Sequence, residues 1–130
     1  MLEINSIKKY EKMPTNKLAL LAQKKFNAFI RERDKDDPCI SCGSWNTAHA
    51  SHYYSAGKHK NLRFNEDNVH ASCLKCNYYM HGNLIPYREN LIKKTGLERV
   101  EKLDLLSKTT TTKNDRFLYI DIILKYTCNK

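Results

Sequence analysis

Four cysteines are spaced to hold a metal. Cys39 and Cys42 form one Cys-x-x-Cys pair, and Cys73 and Cys76 form a second after thirty intervening residues. Two such pairs offer four soft thiolates, the donor set of a closed, tetrahedral structural Zn²⁺ site. Gly43, directly after the first pair, allows the tight turn that points backbone N–H groups at sulfur. Two disulfides are the rival use, and they require an oxidising compartment. The first thirty residues scatter Lys8, Lys9, Lys12, Lys17, Lys24 and Lys25 among apolar residues, without the unbroken apolar core of a secretory signal. A reducing cytoplasm and thiolate ligation are therefore expected. Cys128, the fifth cysteine, has no partner by spacing and is expected to be a free thiol.

All five histidines, His49, His52, His59, His70 and His81, fall between positions 49 and 81. One histidine alone is more often structural than catalytic, but five beside a zinc clip favour chemistry. His49 and His52 stand three apart. Asn77 and His81 stand four apart after the last cysteine pair, where a treble-clef pattern begins a helix, and that spacing stacks them on one helical face. A pair from a hairpin facing a pair from a helix can hold a divalent ion with open positions. His59, between Lys58 and Lys60, reads as a solvated or phosphate-facing loop residue.

Charge points to the partner. The net charge is +9 and the pI about 9.3, which suits a polyanion, most often nucleic acid. Lys17, Lys24 and Arg31 recur every seven residues and so share one stripe of a helix. With Lys58, Lys60 and Arg63, on or beside the expected hairpin, they are candidate contacts to backbone phosphate. No apolar run approaches the roughly 20 residues that span a bilayer, so no membrane partner is expected.

These groups need elements to position them. Leu18, Leu21, Ala22, Phe26, Phe29 and Ile30 define one face of a helix over about 16–33, with Pro14 and Thr15 suited to its start. Residues 38–83 are rich in Cys, His, Asn and Tyr and poor in long apolar side chains, so a metal is expected to hold them together. Pro86 suits the first turn of another helix and Gly96 its stop. Leu97, Val100, Leu103, Leu105 and Leu106 suggest a further helix. The tail 117–126 fits both helix and strand periods and is read as a helix capped by Asn114 or Asp115. The expected organisation is one compact domain: a basic helical arm 1–37, a zinc-bound core 38–96 and a helical extension 97–130.

The stretches CISCG (39–43), ASHYY (50–54), LRFNEDNVHASCLKCN (62–77) and GNLIPY (82–87) resemble the NinG/Rap family of lambdoid phage recombination nucleases. FNAFIRERD (26–34) and YRENLIKKTG (87–96) extend the resemblance from about residue 18 to about residue 106. It implies an α+β fold of the His-Asn-His class: a treble-clef, zinc-stabilised ββα-metal core with flanking N- and C-terminal helices. On the matching positions, His52 is the general base that activates water, and Asn68 is the asparagine that braces the hairpin loop. Asn77 replaces the final histidine as a ligand of Mg²⁺ or Mn²⁺, and its oxygen is a hard donor suited to either ion. His49 stands where an acidic ligand is usual, so His49 or His81 completes the site. His70 either orients Asn68 or contacts phosphate. The implied activity is metal-dependent endonuclease cleavage of branched DNA, such as Holliday junctions and D-loops, in the host cytoplasm. Symmetric cutting of a junction would call for a homodimer. The rival expectation is a non-catalytic, zinc-stabilised DNA-binding module.

Overall fold

The spacing of Leu18, Ala22, Phe26 and Ile30 winds Thr15–Arg33 into a helix in which all four are fully buried. The computed structural model describes residues 2–109 and 114–127, the side chains of 2–6 excepted; Cys128 lies outside them. The elements are α1 (Leu2–Glu11), α2 (Thr15–Arg33), β1 (His49–His52), β2 (Val69–Ser72), α3 (Leu84–Thr95), α4 (Leu97–Leu106) and α5 (Arg116–Thr127). Two 3₁₀ turns, Lys60–Leu62 and Glu66–Asn68, lie between the strands, and a π-helical turn, Lys75–Tyr79, follows β2. The strands are antiparallel, with His49 opposite Ser72 and His52 opposite Val69. Helices with a single two-stranded sheet agree with the expected mixed class.

The chain divides into two compact units, Met1–Phe29 with Asn114–Lys130, and Ile30–Lys113. In the first, the Arg116 guanidinium donates to the carbonyls of Glu11 at 2.8 Å and Met13 at 3.2 Å, and to the Thr15 hydroxyl at 2.9 Å. A cation there satisfies carbonyls that the end of α1 leaves unpaired. Asp115 Oδ1 accepts from the Leu118 N–H at 2.9 Å, an N-cap that settles the ambiguous tail as helix. Tyr119, Ile120, Ile122, Ile123 and Tyr126 of that helix are buried, with Tyr126 edge-on to Phe26 at 5.2 Å.

The second unit runs from the last turn of α2 through α4. In it Val100 and Leu103 of α4 share one apolar cluster with Ile40, Leu62, Tyr87 and Leu91. Gly96 makes this possible: at φ +97° it turns the chain sharply enough for α4 to fold back on α3. Arg88 donates both ends of its fork to Asp104, at 2.9 and 2.8 Å, and ties the two helices. The middle of the chain thus has more apolar support than its own composition offers, lent by α3 and α4.

A buried carboxylate joins the remaining pieces. Asp34, 1% exposed, accepts from Arg33 Nε at 2.8 Å, from Arg33 Nη2 at 2.9 Å and from the Ala71 N–H at 3.0 Å. Lys94 Nζ lies 3.1 Å from its Oδ1, the oxygen that also accepts from Arg33 Nε. The end of α2, strand β2 and helix α3 therefore meet on one group. Burial opposes its charge, but Arg33, the Ala71 N–H and Lys94 hold its carboxyl down to about 2. His70, 2% exposed, belongs to the same network. Its Nε2–H donates to the Asp67 carbonyl at 2.9 Å, so Nδ1 accepts from Lys94 at 3.0 Å and Arg33 at 3.1 Å. Burial first, then the charges of Lys94 and Arg33, push its pKa down to about 4. His70 is thus a neutral internal acceptor, which corrects its expected role as a phosphate contact.

The unfolded chain binds a proton on this histidine near pH 6.5 and the folded chain only near 4, so stability falls as the pH drops from about 6.5 to 4. The contribution of Asp34 is full above its ordinary value of 3.8 and is lost as the pH falls through about 2. Urea midpoints between pH 7 and 2 are expected to drop in two steps, with His70→Gln removing most of the upper one; a flat midpoint from pH 7 to 4 contradicts this network. Asp34→Ala, which takes the buried carboxylate from Arg33, Lys94 and the Ala71 N–H and leaves Lys94 only Asp37 as a carboxylate partner, is expected to cost about 3 kcal/mol.

Candidate metal centre and histidine strand

The sulfurs of Cys39, Cys42, Cys73 and Cys76 all lie within 4.8 Å of one another. Four Zn–S bonds of ~2.3 Å place sulfurs ~3.8 Å apart, and the Cys42 and Cys73 sulfurs are separated by 3.6 Å. The donor set and its size therefore fit a tetrahedral metal such as zinc. Each pair forms a knuckle: the Cys42 N–H points at the Cys39 sulfur and the Cys76 N–H at the Cys73 sulfur, both at 3.5 Å. Gly43, at φ +80°, closes the first knuckle with its N–H on the Cys39 carbonyl at 2.9 Å. That knuckle is pinned by Ile40 N–H to the Ala71 carbonyl at 3.0 Å and by Asn90 to the Ile40 carbonyl at 2.8 Å.

Without a cation these sulfurs cannot all ionise. Burial works against Cys39, yet the N–H groups of Cys42, Cys73 and Ser41 hold its thiol down to about 7. Burial pushes the Cys76 thiol up to about 12, against the Asn83 amide and with the nearby sulfurs of Cys73 and Cys42. A divalent cation reverses that balance by binding thiolates outright.

The strand after the first knuckle carries His52. Its Nε2 lies 2.9 Å from the Arg63 carbonyl, which can only accept, so Nε2 carries the proton and Nδ1 is the acceptor end of the ring. Burial, then the Arg63 charge, lowers its pKa, so the ring is neutral at pH 7. The residue before Arg63, Leu62, is bound by Asn68, which is fully buried. Asn68 Oδ1 accepts from the Tyr54 N–H at 2.9 Å, and its amide donates to the carbonyls of Tyr54 at 2.9 Å and Leu62 at 3.0 Å. One side chain thereby fixes both ends of the loop from 54 to 62. Tyr87 completes the frame, its hydroxyl donating to the Ser51 carbonyl at 2.6 Å.

Other expected groupings do not form. His49 and His52, three apart on a regular strand, leave opposite faces of the sheet: His49 and Ser51 share one, Ala50 and His52 the other. The hairpin pair therefore does not converge on one ion. Asn77 lies in the π-helical turn, but the turn ends at Tyr79 and His81 has left-handed backbone at φ +50°. Those two are not stacked on a helical face either, and His81 is exposed. Among the described residues, the four cysteines are the only group of three or more His, Cys, Asp or Glu able to hold a metal. His59 is not a loop residue open to phosphate: it is half-buried against Tyr54, with Nδ1 3.2 Å from the Ser107 carbonyl. Lys17, Lys24, Arg31, Lys58 and Lys60 are exposed, as their expected role requires, and Arg63 lies over the Phe64 ring at 5.1 Å. Sequence reasoning missed Asp34 and Lys94. The only signal was an Arg-Asp pair at the end of an amphipathic helix, which ordinarily marks a solvated terminus.

A four-cysteine clip fastened to a two-stranded sheet, with helices supplying the apolar packing, defines a small mixed helix-and-sheet protein with, among the described residues, one candidate metal centre. The chain belongs to the NinG family: the profile described as Bacteriophage Lambda NinG protein matches residues 3–129. It is 45% identical over 104 residues to protein ninG of Escherichia phage lambda, covering 72% of this chain and 51% of that protein. Protein ninG of Salmonella phage P22 is 43% identical over 104 residues, with 72% and 51% covered. Protein ninG of Enterobacteria phage H19B is 47% identical over 85 residues, with 64% and 42% covered. The chain thus spans about half the length of the curated relatives it matches. No solved structure matches it. No described helix is long and apolar enough to cross a membrane.

One Zn²⁺ per chain is expected, bound by all four thiols. A thiol reagent should find Cys39, Cys42, Cys73 and Cys76 protected in the metal-loaded chain and reactive after chelation. Equal reactivity in both states would contradict the clip.

Proposed function

We propose that this chain is a metal-dependent endonuclease of the His-Asn-His type, in which the zinc clip does no chemistry and His52 is the general base. The observation that carries the reading is the state of the His52 ring. It is neutral, its Nε2–H is spent on a carbonyl, and its Nδ1 lone pair is directed by a loop that Asn68 braces. A base in that state can accept a proton from water at neutral pH. The water oxygen attacks phosphorus and one water proton passes to Nδ1, while the P–O3′ bond breaks and the leaving O3′ takes a proton from solvent water to become the 3′-hydroxyl.

With His49 and His81 apart from the arrangement expected of them, the oxygen of Asn77 is the protein donor left for a hard ion. Mg²⁺ commonly takes few protein ligands and completes its shell with water and substrate phosphate. Such an ion would supply positive charge to the phosphate as negative charge develops there. Lys58 and Lys60 would contact phosphate near the cut, and the Lys17, Lys24, Arg31 stripe would extend the contact. Phosphate contacts read no sequence and weaken with salt. Branched DNA is the substrate class that family membership suggests.

The second reading, a zinc-stabilised DNA-binding module, is favoured by one observation: the histidines gather into no second metal cluster among the described residues. Nicking of supercoiled plasmid separates the two. His52→Ala is expected to lower the nicking rate at least a hundredfold with DNA affinity within twofold of the original. A wild-type chain that never cuts with Mg²⁺ or Mn²⁺ assigns the module instead. Because burial lowers the His52 pKa, the rate should hold steady on acidification past pH 6.5 and fall only below it; a limb above 6.5 would exclude His52 as the base.

A further inference from the structure

The bend from the second cysteine pair into α3 departs from ordinary backbone in two ways. Lys75–Tyr79 is a π-helical turn, with the Met80 N–H on the Lys75 carbonyl five residues back at 2.9 Å, and such turns occur frequently at functional sites. His81 and Asn83, both at φ +50°, then flank Gly82 at +95°. Left-handed backbone at non-glycine residues is strained, and strain of this kind concentrates where a protein acts.

The same bend leaves aromatic rings in solvent. Tyr78 and Tyr79 are each 68% exposed and meet edge to face at 5.0 Å. Trp45, 72% exposed, stands three residues beyond Cys42 in the other knuckle. Both knuckles end in one sulfur cluster, so Trp45 follows one side of it by three residues and Tyr78 and Tyr79 follow the other by two and three. Tyr53, Tyr54 and Tyr87 of the same unit are packed inward or partly so.

Charge decides what these rings meet. Segments 38–65 and 68–87 contain no Asp or Glu, and they carry Lys58, Lys60, Arg63 and Lys75, whereas the next cation, Arg88, is taken up by Asp104. A second copy of the chain carries the same net charge of +9, which disfavours self-association. An unpaired DNA strand brings negative charge and flat bases with both faces available, whereas a duplex keeps its base faces stacked. We propose that Trp45, Tyr78 and Tyr79 form a stacking platform for the bases of an unpaired DNA strand. The platform rests on the DNA-binding part of the reading above and not on its hydrolytic part.

Trp45 is the only tryptophan of the chain, so its emission reports on its own face. The zinc-loaded full chain is titrated with an oligo-dT strand and with a blunt duplex, following Trp45 fluorescence and the anisotropy of labelled DNA. The strand should quench Trp45 and the duplex should not. Tyr78→Ala and Tyr79→Ala should each weaken strand binding roughly tenfold and leave duplex binding unchanged, while Tyr78→Phe and Tyr79→Phe keep it. Circular dichroism identifies any variant that fails to fold, and the phenylalanine pair serves in its place. Undiminished strand affinity in the alanine variants overturns the platform. So does unchanged strand affinity with an altered sedimentation coefficient, which would make the rings a contact between copies. Wild type that binds duplex and gains nothing from an unpaired strand overturns the platform alone; wild type that binds neither overturns DNA binding as well. Wild type that binds the strand through these rings and never nicks removes the hydrolytic reading and leaves the platform standing.

Discussion

Four sulfurs confined within 4.8 Å cannot carry four negative charges without a cation among them. That constraint governs the rest of the central unit. It joins two points thirty residues apart in the chain and sets the start of β1 and the end of β2 relative to each other. What lies between those points, including His52 and Asn68, is held at both ends by the same metal-sized cluster. The thiols of Cys39 and Cys76, one lowered and one raised, are the same cluster seen without its cation.

The clip alone would leave the interior of the unit under-determined, and two further groups remove that freedom. Asp34 collects Arg33, Lys94 and the Ala71 N–H, so the end of α2 and the last turn of α3 are both bound to β2. Asn68 uses its oxygen and both amide hydrogens on loop backbone and cannot shift without stranding buried polar groups. The carbonyl of Arg63, held next to that loop, then selects the tautomer of His52. Sulfur cluster, buried asparagine, carbonyl and imidazole form one continuous chain of constraint, and each member has little meaning without the one before it.

Much of this was legible in the sequence, for identifiable reasons. Cys39, Cys42, Cys73 and Cys76 announce themselves because two Cys-x-x-Cys pairs are the spacing of a four-thiolate metal clip. The stripe Leu18, Ala22, Phe26, Ile30 and the stop at Gly96 follow from helical period and from glycine's access to positive φ. What escaped was three-dimensional. His49 and His52 look like a ligand pair in sequence and are divided by the alternation of the strand. Asn77 and His81 have helical spacing, but the π-helical turn is only five residues long and the left-handed bend follows it. His70 looked available to phosphate because nothing local reveals that Asp34 and Lys94, each more than twenty residues away, close over it.

The central claim is that the Nδ1 face of a neutral His52 ring, positioned by the clip and by Asn68, meets a divalent ion and a phosphate. Paramagnetic broadening tests this most directly: Mn²⁺ is titrated into the zinc-loaded, isotope-labelled chain while the imidazole resonances of all five histidines are followed. Broadening that reaches the His52 ring and the Asn77 amide first, and leaves buried His70 sharp, is the predicted result. A His52 ring that stays sharp while other histidines or surface carboxylates broaden would contradict the account.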